Sequence, residues 1–178
     1  MLILRNFKKL NLLAWQRQIK LTGLAALGIT ACCLSLSASS NGEILYPAGY
    51  REWTHVKSGL VGPQSAAFQA LGGIHHVYAN EKAMEGYRTG RFPDGSTIVL
   101  DLLEAKESEG ITKEGPRRRI DMMVKDSRQY TETGGWGFQQ FKGDSQTERM
   151  VTAQIAKACF ACHSQRKDQD LVFGSYRK

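Results

Sequence analysis

Apolar and polar residues alternate with period two through the middle of the chain, and that pattern predicts strands. Ser96 to Leu103 puts Ile98, Leu100 and Leu102 on one face and Val99, Asp101 and Leu103 on the other. Arg119 to Asp126 continues in the same way, with Ile120, Met122 and Val124 on one face. Ile74 to Tyr78, between Gly72-Gly73 and Asn80, reads as a short strand, and Trp136 to Phe141 as another entered by Gly134-Gly135. Tyr50 to Lys57 mixes aromatic and β-branched residues and reads as a strand, or a short helix followed by a strand. Helices are expected over Asn80 to Arg88, with Asn80 as cap, and over Thr147 to Ala158. Phe92-Pro93-Asp94-Gly95 has turn chemistry, with Pro followed by Asp-Gly. Ser58 to Gln69 holds Gly59, Gly62 and Pro63 and reads as loop, while the charged stretch Glu104 to Pro116 reads as a long exposed connection. Leu171-Val172-Phe173 forms a last apolar clamp. The pattern describes a mainly β domain with no internal repeat.

Charge changes the picture only at the N-terminus. The 178 residues carry a formal charge of +7, but residues 1–40 hold Arg5, Lys8, Lys9, Arg17 and Lys20 and no acid. Beyond position 40 the balance is 19 basic against 17 acidic residues, so nothing points to nucleic acid. The basic start leads into an apolar run from Leu21 to about Leu36, and then into Ser37-Ala38-Ser39-Ser40. That run is short of the ~20 residues a spanning helix needs. Residues 1–40 therefore read as a signal peptide first and an uncleaved membrane anchor second, with residues 41–178 as one domain. Ile29-Thr30-Ala31-Cys32 also resembles a bacterial lipobox, which would tether the protein through Cys32. Cleavage near Ser39 would instead remove Cys32 and Cys33. Arg117-Arg118-Arg119 reads either as a solvated strand start or as a docking patch for an acidic redox partner.

The chemistry lies in Cys159-Phe160-Ala161-Cys162-His163. C-x-x-C-H is the attachment pattern of c-type haem. Two thiols at this spacing reach the two vinyl groups as thioethers, and the adjoining histidine falls under the iron as axial ligand. A zinc site would need a second ligand pair of similar spacing, and a thioredoxin-like site would need a βαβ context; neither pattern is present. Zinc and a structural disulfide remain as the alternatives. The motif stands 15 residues from the C-terminus and no Met follows it, unlike a class I cytochrome c. The period-two middle also differs from the four long helices of a cytochrome c′.

A mainly β domain ending in this motif resembles the cytochrome P-460 family, which includes the cytochromes c′-beta. The resemblance runs from about Tyr46 to Phe173. It is carried by Tyr50-Arg51-Glu52-Trp53, Ile74-His75-His76-Val77-Tyr78 and Gly90-Arg91-Phe92-Pro93-Asp94-Gly95. Val124-Lys125-Asp126-Ser127, Gly135-Trp136-Gly137-Phe138, the haem motif and Val172-Phe173 complete it. It implies an α+β fold, mainly antiparallel sheet with a few helices, one covalently attached haem c with five-coordinate iron, a periplasmic location and a homodimer. Hydroxylamine-oxidising members carry a lysine cross-linked to the macrocycle, two residues before a Leu on the strand after the Phe-x-Asp-Gly turn. The matching residue here is Leu100, two before Leu102. The resemblance thus favours the c′-beta branch, whose haem takes up NO or CO.

Cys159, Cys162 and His163 are the expected cofactor-binding residues, with His163 on the metal. His75 matches a position where a polar distal residue can occur, and Leu100 would join an apolar distal wall with Phe68, Phe92, Phe138 or Phe141. His55, His75, His76 or a methionine could fill the sixth iron position, although His75 and His76 must point to opposite faces of a strand. Four functions compete: a gas-binding haem protein, an electron carrier with a redox partner protein, an oxidoreductase acting on hydroxylamine or NO, and a colourless zinc-stabilised domain.

Overall fold

The computed structural model describes residues 42–177. The expected N-terminal signal or anchor, Cys32 and Cys33 included, lies outside the described residues. Within them, strands β1 (Thr54–Val61), β2 (Gly73–Ala79), β3 (Thr97–Ser108), β4 (Ile111–Lys125) and β5 (Trp136–Lys142) form one antiparallel sheet in sequential order. Three helices accompany it: α1 (Phe68–Leu71), α2 (Glu81–Thr89) and α3 (Ala153–His163). This is an α+β fold, and no described helix is long and apolar enough to cross a membrane.

Local chemistry sets the joints. The Asn80 carboxamide oxygen accepts from Ala83 N at 2.9 Å, capping α2, and from Thr97 N at 3.0 Å, tying the helix to β3. Gly90 closes α2 at φ 79°, a left-handed conformation that glycine adopts without a Cβ clash. β3 is covered on both faces, which explains its near-continuous apolar sequence. One face packs Val77, Ala79, Ile98, Met123, Trp136 and Phe138 beneath α2 and Leu171–Val172. The other packs Val99, Ile120, Met122 and Phe141 beneath the segment from Ile44 to Trp53. Val99, Leu102, Ile120, Trp136 and Phe141 are fully enclosed.

Three expectations change. Glu104 to Pro116 is not a loose connection but the outer half of the β3–β4 hairpin, turning at Glu109 (φ 53°) and Gly110 (φ 74°). Two central residues at positive φ match the twist of the flanking strands. The segment lacks alternation because both its faces meet water. β1 reaches Val61 and α1 begins at Phe68, so the expected 58–69 loop is shorter. The last helix starts at Ala153, not Thr147, and runs through Cys159–His163. Of the C-terminal clamp, Leu171 and Val172 are buried while Phe173 is 42% exposed.

Candidate functional site

Helix α3 displays the motif. Thr152 caps it, its hydroxyl accepting from Ile155 N at 3.3 Å. Cys159, Cys162 and His163 stand at i, i+3 and i+4 in the final turn, so all three project from one side of the helix. Both cysteines are free thiols, so the disulfide reading does not describe this structure. Cys159 is half-buried, and burial followed by the charge of Asp121 pushes its thiol pKa up. Among the described residues no group of three or more His, Cys, Asp or Glu gathers as a metal site.

His163 is held in one tautomer. Its Nδ1 lies 2.7 Å from the carbonyl oxygen of Leu171. A carbonyl only accepts, so Nδ1 carries the hydrogen and Nε2 keeps its lone pair, as an iron ligand requires. Burial lowers the imidazole pKa, against the raising effect of the Leu171 carbonyl, and favours the neutral ring. Phe138 and Phe173 flank that ring at centroid distances of 5.3 and 5.1 Å. A covalently held haem therefore fits these residues: two free thiols and a preset ligand nitrogen share one helix side beside aromatic walls.

The sheet brings Leu100 to the same place. The pairings Lys57–Val77, Val77–Leu100, Leu100–Asp121 and Asp121–Gln140 form one row across the sheet. Paired residues share a face, and Leu100 packs in the cluster that also takes Cys159 and Phe160. The adjacent row is Gly59–His75–Leu102–Arg119–Lys142. His75 thus shares the haem-motif face, and its Nδ1 is buried without a hydrogen-bond partner. A Cβ at Gly59 would stand 2.6 Å from its Nε2, so a side chain there would push the ring out of its present position. Burial, Lys57 and His76 lower the His75 pKa.

Other candidates fall elsewhere. His76 and His55 lie on the opposite face, joined through Ser58 at 2.7 and 2.9 Å, with Glu114 2.7 Å from His76 Nε2. Neither can serve as sixth ligand on the α3 side. Met122 and Phe141 also pack on the opposite face, so Phe141 is no part of a haem wall. Phe92 lies in the core against Trp136 and Tyr87. Phe68, at the start of α1, packs over Gly72 just past its end. The three arginines are engaged internally: Arg117 with Asp101 and Asp144, Arg118 with Gly72 O, Arg119 with Asp121 and Ala70 O. They form neither a solvated strand start nor a free basic patch.

Two acidic residues of the site escaped sequence reading. Asp121 is paired with Leu100, and Arg119 grips it at 2.6 and 3.0 Å. Burial pushes its carboxyl pKa up against the opposing effects of Arg119 and Gln140. With 21% of its side chain exposed, it adds a carboxyl to the face that also carries Leu100, His75 and Arg119. Its sequence signal was present: Arg119 and Asp121 occupy alternate positions that should be apolar. Asp170 has no such signal. It precedes Leu171 in a turn at φ 50° and 66° and binds Lys125 at 2.8 Å.

Compared with known proteins, the chain matches the family model described as Cytochrome P460 over residues 47–174. No curated protein matches it.

Proposed function

The chain belongs to the cytochrome P460 family and is a haem-binding cytochrome; from that premise we propose that it is a periplasmic, homodimeric c-type cytochrome that binds NO or another neutral diatomic gas. One haem is attached through Cys159 and Cys162, with His163 as its protein ligand. The observation that carries this reading is the hydrogen bond from His163 Nδ1 to Leu171 O, which leaves Nε2 free. The bound haem would supply an iron with one position open to a small ligand. Leu100 occupies the position of the cross-linking lysine, leaving the macrocycle unmodified. The apolar surroundings of Val77, Leu100 and Phe138 exclude bulk water and admit a neutral diatomic. Attachment of c-type haem takes place outside the cytoplasm, in keeping with an export signal at the N-terminus.

Absorption spectra of the matured protein, ferric and ferrous, with and without NO, test the reading. High-spin ferrous iron that responds to NO is expected. Sharp low-spin bands indifferent to NO refute it. One observation favours a second reading: the unpartnered Nδ1 of His75 on the same face makes this residue available as a sixth ligand. The protein would then be an electron carrier, and His75→Ala would convert a low-spin spectrum into a high-spin one.

A further inference from the structure

The Asp170–Leu171 turn is costly by itself. Both residues sit at positive φ, 50° and 66°, where an L side chain crowds its own backbone. Such a turn persists only when its surroundings fix it, and here three contacts hold Asp170. Lys125 Nζ donates to Oδ1 at 2.8 Å, Phe92 N donates to Oδ2 at 2.9 Å, and Trp136 Nε1 donates to the Asp170 carbonyl at 2.9 Å. Lys125 is itself fixed by Gly134 O at 3.1 Å and by the Trp136 ring at 5.0 Å. The Lys125 and Asp170 side chains are only 10% and 14% exposed. A pair so enclosed loses much of its Coulombic gain to desolvation and is weak evidence for stability alone. Its geometric consequence is direct, because the next carbonyl, that of Leu171, receives the His163 hydrogen bond.

We infer that Asp170, clamped by Lys125 and Trp136, is a positioning residue that sets the hydrogen bond from His163 to Leu171 and, through it, the electron donation of His163 to the haem iron. The inference rests on the reading of His163 as the haem ligand. A strong Nδ1–H···O=C bond fixes the ring and raises the basicity of Nε2. More donation favours ferric over ferrous iron and lowers the reduction potential. Asp170→Asn keeps an acceptor for Phe92 N but removes the anion that Lys125 holds. Trp136→Phe keeps the ring and removes only the donor to the Asp170 carbonyl. Lys125→Arg keeps the cation.

The test uses matured protein. Haem retention on a denaturing gel comes first, followed by the midpoint potential and the iron–histidine stretching band of the ferrous form. Asp170→Asn is expected to shift the ferric-to-ferrous balance about tenfold, raising the potential by about 59 mV for one electron, and to lower the stretching frequency. Trp136→Phe shifts both in the same direction by less, and Lys125→Arg stays near the wild type. Trp136→Phe decides the matter if Asp170→Asn does not fold. Wild-type protein lacking covalent haem overturns the ligand reading and this inference with it. Haem attached normally, with potential and stretching band unmoved in the folded variants, overturns the positioning role alone.

Discussion

Asp101→Asn should be among the most damaging conservative substitutions in this chain. Asp101 is fully buried on the sheet face opposite α3. It accepts from Tyr50 OH at 2.6 Å, from Arg51 Nη2 at 2.7 Å and from Arg117 Nε at 2.6 Å. The carboxamide keeps the shape but loses the charge and turns an amide N–H₂ toward a guanidinium, which can only donate. Removing one partner of a buried ion pair costs about 3–5 kcal/mol. The Arg51 contact adds little, since that side chain is 51% exposed and screened by water. The loss should therefore come to about 3–4 kcal/mol, a large share of the ~5–15 kcal/mol that holds a domain together. Urea unfolding followed by tryptophan fluorescence measures it. Replacing Asp101 and Arg117 together with Leu and Met should cost much less than the single change, because no buried charge is stranded.

The pH dependence adds a second check. Burial raises the Asp101 pKa, but hydrogen bonds from Arg117, Tyr50 and Arg51 outweigh it and hold the folded value below normal. A depressed folded pKa stabilises above the unfolded value of about 3.9, and that stability is lost as pH falls through the folded one. The gap between wild type and Asp101→Asn should thus be full near neutrality and close below about pH 4. A loss under about 1 kcal/mol at pH 7, or a gap independent of pH, would mean that the cluster behaves as a solvated surface pair.

Gly86→Ala should reverse the usual helix rule. Alanine in place of a helical glycine ordinarily stabilises by about 0.5–1 kcal/mol. Here a Cβ would stand 2.1 Å from Phe92 Cδ1, itself wedged against Trp136 and Tyr87, so a loss of about 1–3 kcal/mol in thermal unfolding is expected. Leu100→Lys tests the register drawn from the family resemblance. An amine placed between Val77 and Asp121 should give the matured protein an absorption band to the red of ordinary c-type haem. An unchanged c-type spectrum would show that Leu100 does not occupy the cross-link position.

Elements with one wet and one dry face, or with a local cap, were legible in the sequence. Strand β2 and helix α2 fall where Gly-Gly, Asn80 and the alternation put them. The β3–β4 hairpin arms were not legible, because polar residues on both faces erase the period that would reveal a strand. Their pairing comes from the sheet that the inner halves nucleate. Glu109-Gly110 was the one local signal, a two-residue turn with glycine second.

The site divides along a different line. Cys159, Cys162 and His163 are close in sequence, so their spacing alone displays the chemistry. Leu100 and His75 fall on one face by strand parity, since 75, 77 and 79 pair with 102, 100 and 98 across adjacent strands. The same count should have separated Phe138 from Phe141, three positions apart on one strand and hence on opposite faces. Asp170 belongs to a third kind. Its contacts are with Phe92, Lys125 and Trp136, which lie 78, 45 and 34 positions away. No spacing rule reaches that far. The residues that bind a cofactor can cluster in a short motif, whereas those that tune it need only be near it in space. The Cys159–His163 motif spans five residues, whereas the contacts of Asp170 come from the turn before β3, from β4 and from β5.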